Sequence, residues 1–231
     1  MPFCTGFLNF FKGRKGILIC FTGVDGSGKT THAKSLLHFL SEQGFSCSYV
    51  WGASVPFLSY LLYGFTRLLG YWKKIKKGVP NDPLELAPFY LRRKALGWTW
   101  RCLLFIDFHI KMLIKIRLPL IFGKVVICDR YVYDMIMELI NDNLYSESFG
   151  KIVLETIPTP KIVFLMDVPE GLAHIRRTSI DKKNLSKKRM IFLSLARSLN
   201  FFILNSSSDF MMNQRRIRNE VFPLFAASNG N

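Results

Sequence analysis

Acidic residues are scarce in this 231-residue chain: 16 Asp and Glu stand against 32 Lys and Arg, leaving a net charge of +16. That balance excludes a surface that repels polyanions. Nucleotides, nucleic acid and acidic lipid all suit it, and charge alone does not choose among them. Cysteine is sparse as well. The five stand at 4, 20, 47, 102 and 128, never closer than 16 residues, so no pair has CxxC spacing. The four histidines, at 32, 38, 109 and 174, do not join them. This speaks against a zinc site or a disulfide framework and for a reducing compartment, the cytoplasm. Long unbroken apolar runs are missing too. Residues 49–66 are short for a membrane span and carry Gly52, Ser54, Pro56, Ser59 and Gly64; residues 102–122 are broken by Asp107, Lys111, Lys115 and Arg117. No leader peptide, internal repeat or long linker is read. What remains is 49% apolar and 14% aromatic, ample for a core. A single domain over 1–231 without a transmembrane segment is expected.

Its organisation alternates. Residues 16–22 are a short β-branched and aromatic run that reads as a fully buried strand, and 46–51, 124–128, 161–166 and 200–204 read as further strands. Between them lie helical patterns. In 32–43, Ala33, Leu36, Leu37 and Leu40 share one face. Helices are also expected over 57–71, within 88–116, across 132–141 and 146–156, and over 185–199, with Ser208 as the cap of a last one. Residues 178–188 read as a mobile basic loop. Strands alternating with helices imply a three-layer α/β sandwich: a five-stranded parallel sheet with helices on both faces.

The strongest signal is Gly23-Val24-Asp25-Gly26-Ser27-Gly28-Lys29-Thr30, which matches G-x-x-x-x-G-K-[ST] in full. Glycines let the backbone curl so that its N–H groups, on into Thr31, point at phosphate oxygens. Lys29 is placed to reach the β- and γ-phosphates, and the Thr30 hydroxyl to ligate Mg²⁺. The motif follows a strand and opens an amphipathic helix, the context it requires. A nucleoside triphosphate with Mg²⁺ is therefore the expected ligand. At the carboxyl end of the third strand stands Asp129-Arg130-Tyr131. Ligands of open α/β sheets bind at such ends. There Asp129 can hold Mg²⁺ or its waters and Arg130 can grip a phosphate; a structural Asp–Arg pair is the alternative. Asp167 and Glu170 have capping-box spacing and read as helix caps rather than catalysts.

Together these motifs resemble the thymidylate kinase family, in its archaeal type, over about residues 16–221. The resemblance implies a P-loop nucleoside monophosphate kinase that phosphorylates dTMP to dTDP with Mg·ATP. It assigns Asp25 to the acceptor's deoxyribose, with hydrogen bonds to the loop's own amides as the alternative. It assigns Arg130 and Tyr131 to the acceptor site. Phe89 or Tyr90, with Arg93, matches the aromatic and arginine that hold the base. Because the loop itself has Gly26 rather than an arginine, a lid at about 176–188 is expected to supply cations, from among Arg176, Arg177, Lys182 and Lys183. A homodimer is implied, with no need for nucleic acid. The chain also departs from the family. Val132-Tyr133-Asp134-Met135 replaces the usual serine and Ala-aromatic-Gln stretch, and Trp51 to Pro56 lacks the frequent arginine. Kinases for dCMP, UMP or a deoxynucleoside therefore remain alternatives, as does a non-catalytic nucleotide binder on nucleic acid or membrane.

Overall fold

Six consecutive residues with no exposed member, Ile17–Thr22, form the first strand, β1. A strand buried along its whole length has both faces covered, which is how parallel sheets are built. The computed structural model describes residues 16–52, 94–141, 147–176 and 182–228, together with Leu58, Leu61, Gly64, Phe65 and Leu68. Within them the elements follow as β1, α1 (Lys29–Glu42), β2 (Cys47–Trp51), α2 (Lys94–Met112), a π-helical turn (Leu113–Arg117), α3 (Leu118–Ile121) and β3 (Val125–Asp129). Then come α4 (Val132–Asn141), α5 (Glu147–Thr156), β4 (Ile162–Asp167), α6 (Glu170–Arg176), α7 (Lys182–Ser198), β5 (Phe202–Asn205) and α8 (Phe210–Ser228).

All pairings in the sheet are parallel, in the order β2-β3-β1-β4-β5. The expected α/β architecture is thus present. β1 lies in the middle, between β3 and β4, so the chain leaves it toward one edge and later returns to the other. That reversal opens a crevice at the carboxyl end of β1. The core is built on this strand. Phe21 stacks on Phe164 at 5.2 Å between ring centroids. Ala33, Leu36 and Leu40 of α1 join Ile217, Val221 and Phe225 of α8 against the sheet. Neutral His32, lowered to about 4 by burial, accepts a hydrogen bond at Nδ1 from Gln214 at 2.7 Å, tying α1 to α8.

The chain divides into two compact units. One comprises Met1–Ala53, Lys115–Glu138 and Pro158–Asn231 and holds the sheet; the other comprises Ser54–Ile114 and Leu139–Ile157. In the second, His109 lies between the Phe105 carbonyl and the Thr156 hydroxyl, at 2.8 and 2.9 Å, a structural place for a lone histidine.

Two local expectations are corrected. The run 178–188 is not loop throughout, since α7 begins at Lys182; buried Leu185 anchors its first turns and no glycine or proline interrupts 182–198. The last helix is capped by Asp209, not Ser208: the Met212 N–H donates to Asp209 Oδ1 at 3.0 Å.

Candidate active site

The glycine-rich turn follows β1 directly and ends as the first turn of α1. Gly23, Gly26 and Gly28 stand at φ 136°, 80° and 85°, all in the region side chains avoid. Gly28 is the N-cap of α1, and the first turn holds no acidic residue. Its N–H groups are therefore left for an anion. Lys29 is nearly buried. Its ammonium folds back to donate to the carbonyls of Gly23 and Val24 at 2.8 and 2.7 Å, and more weakly to Ser27 Oγ at 3.4 Å. Burial, then the nearby Arg130, lowers its pKa to about 8, and Asp134, Asp25 and Asp129 oppose that fall.

Parallel pairing brings Asp129 level with Phe21 on one side and Trp51 on the other. Its carboxylate so lies beside the root of the cradle. Asp129 Oδ2 accepts from the Thr30 hydroxyl at 2.5 Å and from the Tyr49 hydroxyl at 2.8 Å. Asp129 Oδ1 is buried with no hydrogen-bond partner among the described residues. A hydroxyl beside a carboxylate with an oxygen to spare is a hard donor set that fits Mg²⁺. Among the described residues no three His, Cys, Asp or Glu side chains converge on a metal position. Mg²⁺ is commonly held by one or two carboxylates together with substrate phosphates and waters.

Arg130 follows at φ 63°, in the left-handed region, with its N–H donating to the Phe21 carbonyl at 2.9 Å. Its guanidinium forms an ion pair with Asp25 of the cradle. Lys29, Thr30, Asp25, Asp129 and Arg130, five residues singled out from the sequence, are thus brought together at the carboxyl ends of β1 and β3.

Tyr131 takes a different place from the one expected. Its ring is 2% exposed and its hydroxyl donates to the Pro158 carbonyl, so the side chain belongs to the core beneath the site. Tyr133 is buried as well, edge-on to Tyr131 at 5.3 Å. Asp167 does not cap a helix: Arg189 of α7 holds it with two hydrogen bonds, at 2.6 and 2.9 Å. That pair ties α7 to the carboxyl end of β4. Arg176 ends α6, and Phe89, Tyr90, Arg93 and Arg177 lie outside the described residues. Sequence reasoning missed Tyr49 and Arg189, and it offered Asp134, with Tyr133, only as a stand-in for the absent base-pocket groups; both are buried. Tyr49 was legible in principle, two residues before the end of the strand that neighbours Asp129. Arg189 carried no signal beyond being one cation among many.

No family model matches the chain. Curated relatives do. A protein of Sulfurisphaera tokodaii named "Probable thymidylate kinase" is 30% identical over 197 residues, covering 82% of this chain and 87% of that one. The chain belongs to the thymidylate kinase family. A second relative, "Probable thymidylate kinase 1" of Saccharolobus solfataricus, is 28% identical over 83% of this chain and 89% of its own. A "Probable thymidylate kinase" of Pyrococcus abyssi is 29% identical over 79% and 83%. Membership makes the chain an ATP-dependent phosphotransferase and, at family level, a nucleotide kinase with a P-loop α/β fold. Among the described residues no helix is long and apolar enough to cross a membrane.

Proposed function

We propose that the chain is a dTMP kinase, transferring the γ-phosphoryl group of Mg·ATP to the 5′-phosphate of dTMP and releasing ADP and dTDP. The observation that carries this reading is the Asp25–Arg130 pair set beside the Lys29 cradle. A carboxylate within a phosphate loop is electrostatically costly unless it serves a second ligand. A sugar hydroxyl is such a ligand, and a guanidinium next to it suits the phosphate on that sugar. In the free chain the two groups hold each other. On acceptor binding they part, Asp25 to the deoxyribose and Arg130 to the phosphate.

The reaction forms a bond from an acceptor phosphate oxygen to the γ-phosphorus. It breaks the bond from that phosphorus to the β–γ bridging oxygen, whose electrons leave on ADP. Catalysis is chiefly positioning and charge neutralisation. Lys29 exchanges its loop carbonyls for β- and γ-phosphate oxygens. Mg²⁺, held by Thr30 and by Asp129 directly or through water, neutralises charge on the donor phosphates when bound. The backbone of 23–31 cradles the donor. Phe89 or Tyr90 with Arg93 holds the base by stacking and hydrogen bonding. A lid over 176–188, with Arg176, Arg177, Lys182 and Lys183 as its cations, closes on the transfer and excludes water. Exposed Ile106 and Ile110 on α2 support a homodimer. Light scattering is expected to give twice the monomer mass, and a strictly monomeric species would refute the dimer.

The test is ADP release from Mg·ATP with dTMP, dUMP, dCMP, UMP, CMP and AMP in parallel. Turnover highest with dTMP is expected. Preference for another monophosphate would replace the base assignment but leave the transfer chemistry standing. No acceptor-dependent turnover would refute the kinase reading.

A further inference from the structure

Behind the cradle lies a buried carboxylate with no part in the reaction as written. Asp134 occupies the first turn of α4 and is 5% exposed. Its Oδ2 accepts two hydrogen bonds, from the Thr22 hydroxyl at 2.8 Å and from the Tyr131 N–H at 3.0 Å. Thr22 is the last residue of β1, and Tyr131 follows Arg130 in the chain. The bond to Tyr131 alone would be an ordinary reach-back at a helix start. The bond to Thr22 is not, because it crosses to the strand that carries the phosphate loop.

The consequence falls on Arg130. Its backbone stands at φ 63°, which costs a non-glycine residue energy and persists only where surroundings enforce it. Here two consecutive residues of β1 do so. Phe21 holds the Arg130 N–H through its carbonyl, and Thr22 holds the Tyr131 N–H through the Asp134 carboxylate. The turn is pinned on both sides of the residue whose guanidinium reaches Asp25.

The charge of Asp134 has its own effect. Lys29 and Arg130 repel each other, and the Asp134 carboxylate favours the charged form of Lys29. Lys29 and Arg130 in turn help hold Asp134 ionised against its burial, which raises its pKa to about 6. Its second oxygen, Oδ1, is buried without a hydrogen-bond partner among the described residues. A half-satisfied buried carboxylate is costly to stability, and an uncharged acceptor would cap α4 as well.

We propose that Asp134 is a positioning residue for phosphoryl transfer: through Thr22 and Tyr131 it fixes the turn that aims Arg130 at the cradle, and its charge offsets the repulsion between Lys29 and Arg130. This role rests on Arg130 serving the acceptor phosphate, as proposed above.

Asp134→Asn keeps shape and an acceptor oxygen while removing the charge. Thr22→Val keeps the charge and cuts the tether to β1. Both are to be assayed for kcat and KM with dTMP and for melting temperature at pH 8, beside the parent chain. Asp134→Asn is expected to remain folded at the assay temperature, yet to lose about 100-fold in kcat/KM for the acceptor, the scale of a misplaced catalytic group. Thr22→Val is expected to fall about tenfold, on the same scale. A merely structural role predicts otherwise: activity lost only as the fold is lost. That result, or parent-like kinetics in Asp134→Asn, would overturn the role of Asp134 while the parent still turns over. A parent without acceptor-dependent turnover would overturn the reading of Arg130, and this role with it.

Discussion

Lys29→Met is expected to lower the rate of phosphoryl transfer about 1,000-fold, a loss near 4 kcal/mol of transition-state stabilisation, while the protein stays folded. The ammonium is the one cation of the cradle itself, and charge builds on the transferred group as the bond to ADP breaks. Methionine matches the length and apolar stem of lysine, so the buried space stays filled. The substitution strands the carbonyls of Gly23 and Val24, which the ammonium now satisfies at 2.8 and 2.7 Å. It also removes a cation that burial pushes down to about 8, and the two effects on stability oppose each other. ADP release with saturating dTMP, read against circular dichroism of the same sample, checks this. A variant retaining a tenth of the parent rate would refute a central role for Lys29.

Gly52→Ala is expected to be the most damaging change to a residue that touches no ligand. Gly52 ends the path of β2, and its N–H donates to the Asp129 carbonyl at 2.8 Å. A Cβ there would fall 1.6 Å from the Arg130 carbonyl oxygen and 2.5 Å from its carbonyl carbon. These are backbone atoms, so no rotamer change relieves the clash. The turn through Arg130 must move, and that turn is held by β1 on its other side. A cost of about 3 kcal/mol, or roughly 10 °C in melting temperature, follows for a domain of this size. Activity should fall further than stability, since Arg130 moves with its carbonyl. Thermal melts and kinetics at 20 °C separate the two, and a variant within 2 °C of the parent would refute the tight approach.

The reading from sequence succeeded where chemistry is local. Strand, glycine-rich turn and helix are contiguous, so Gly23 to Thr30 declared itself without any knowledge of the fold. The five strands were legible as short runs between helical patterns, and that alternation implied parallel pairing. Tertiary partners were not legible. Nothing in the spacing of Asp167 and Glu170 tells a capping box from an ion pair with Arg189, because the choice depends on where α7 returns to the sheet. Tyr131, next to the Asp-Arg pair, reads as part of the site, but a strand-to-helix turn sends neighbouring side chains to opposite sides. Arg130 meets Asp25 while Tyr131 goes into the core. Asp134 was offered as a base-pocket group for the same reason: its partner, Thr22, lies 112 positions away.

The strand order has a consequence for how the chain is made. β1 pairs only with β3 and β4, and β2 only with β3, among the described residues. Neither early strand finds its neighbour until Val125 and its successors have left the ribosome. For that interval β1, buried along its whole length once folded, offers two unpaired edges, a hazard for aggregation that a chaperone can mask. The phosphate loop leaves the ribosome directly after β1. It acquires the Asp129 and Arg130 that complete it only a hundred codons later.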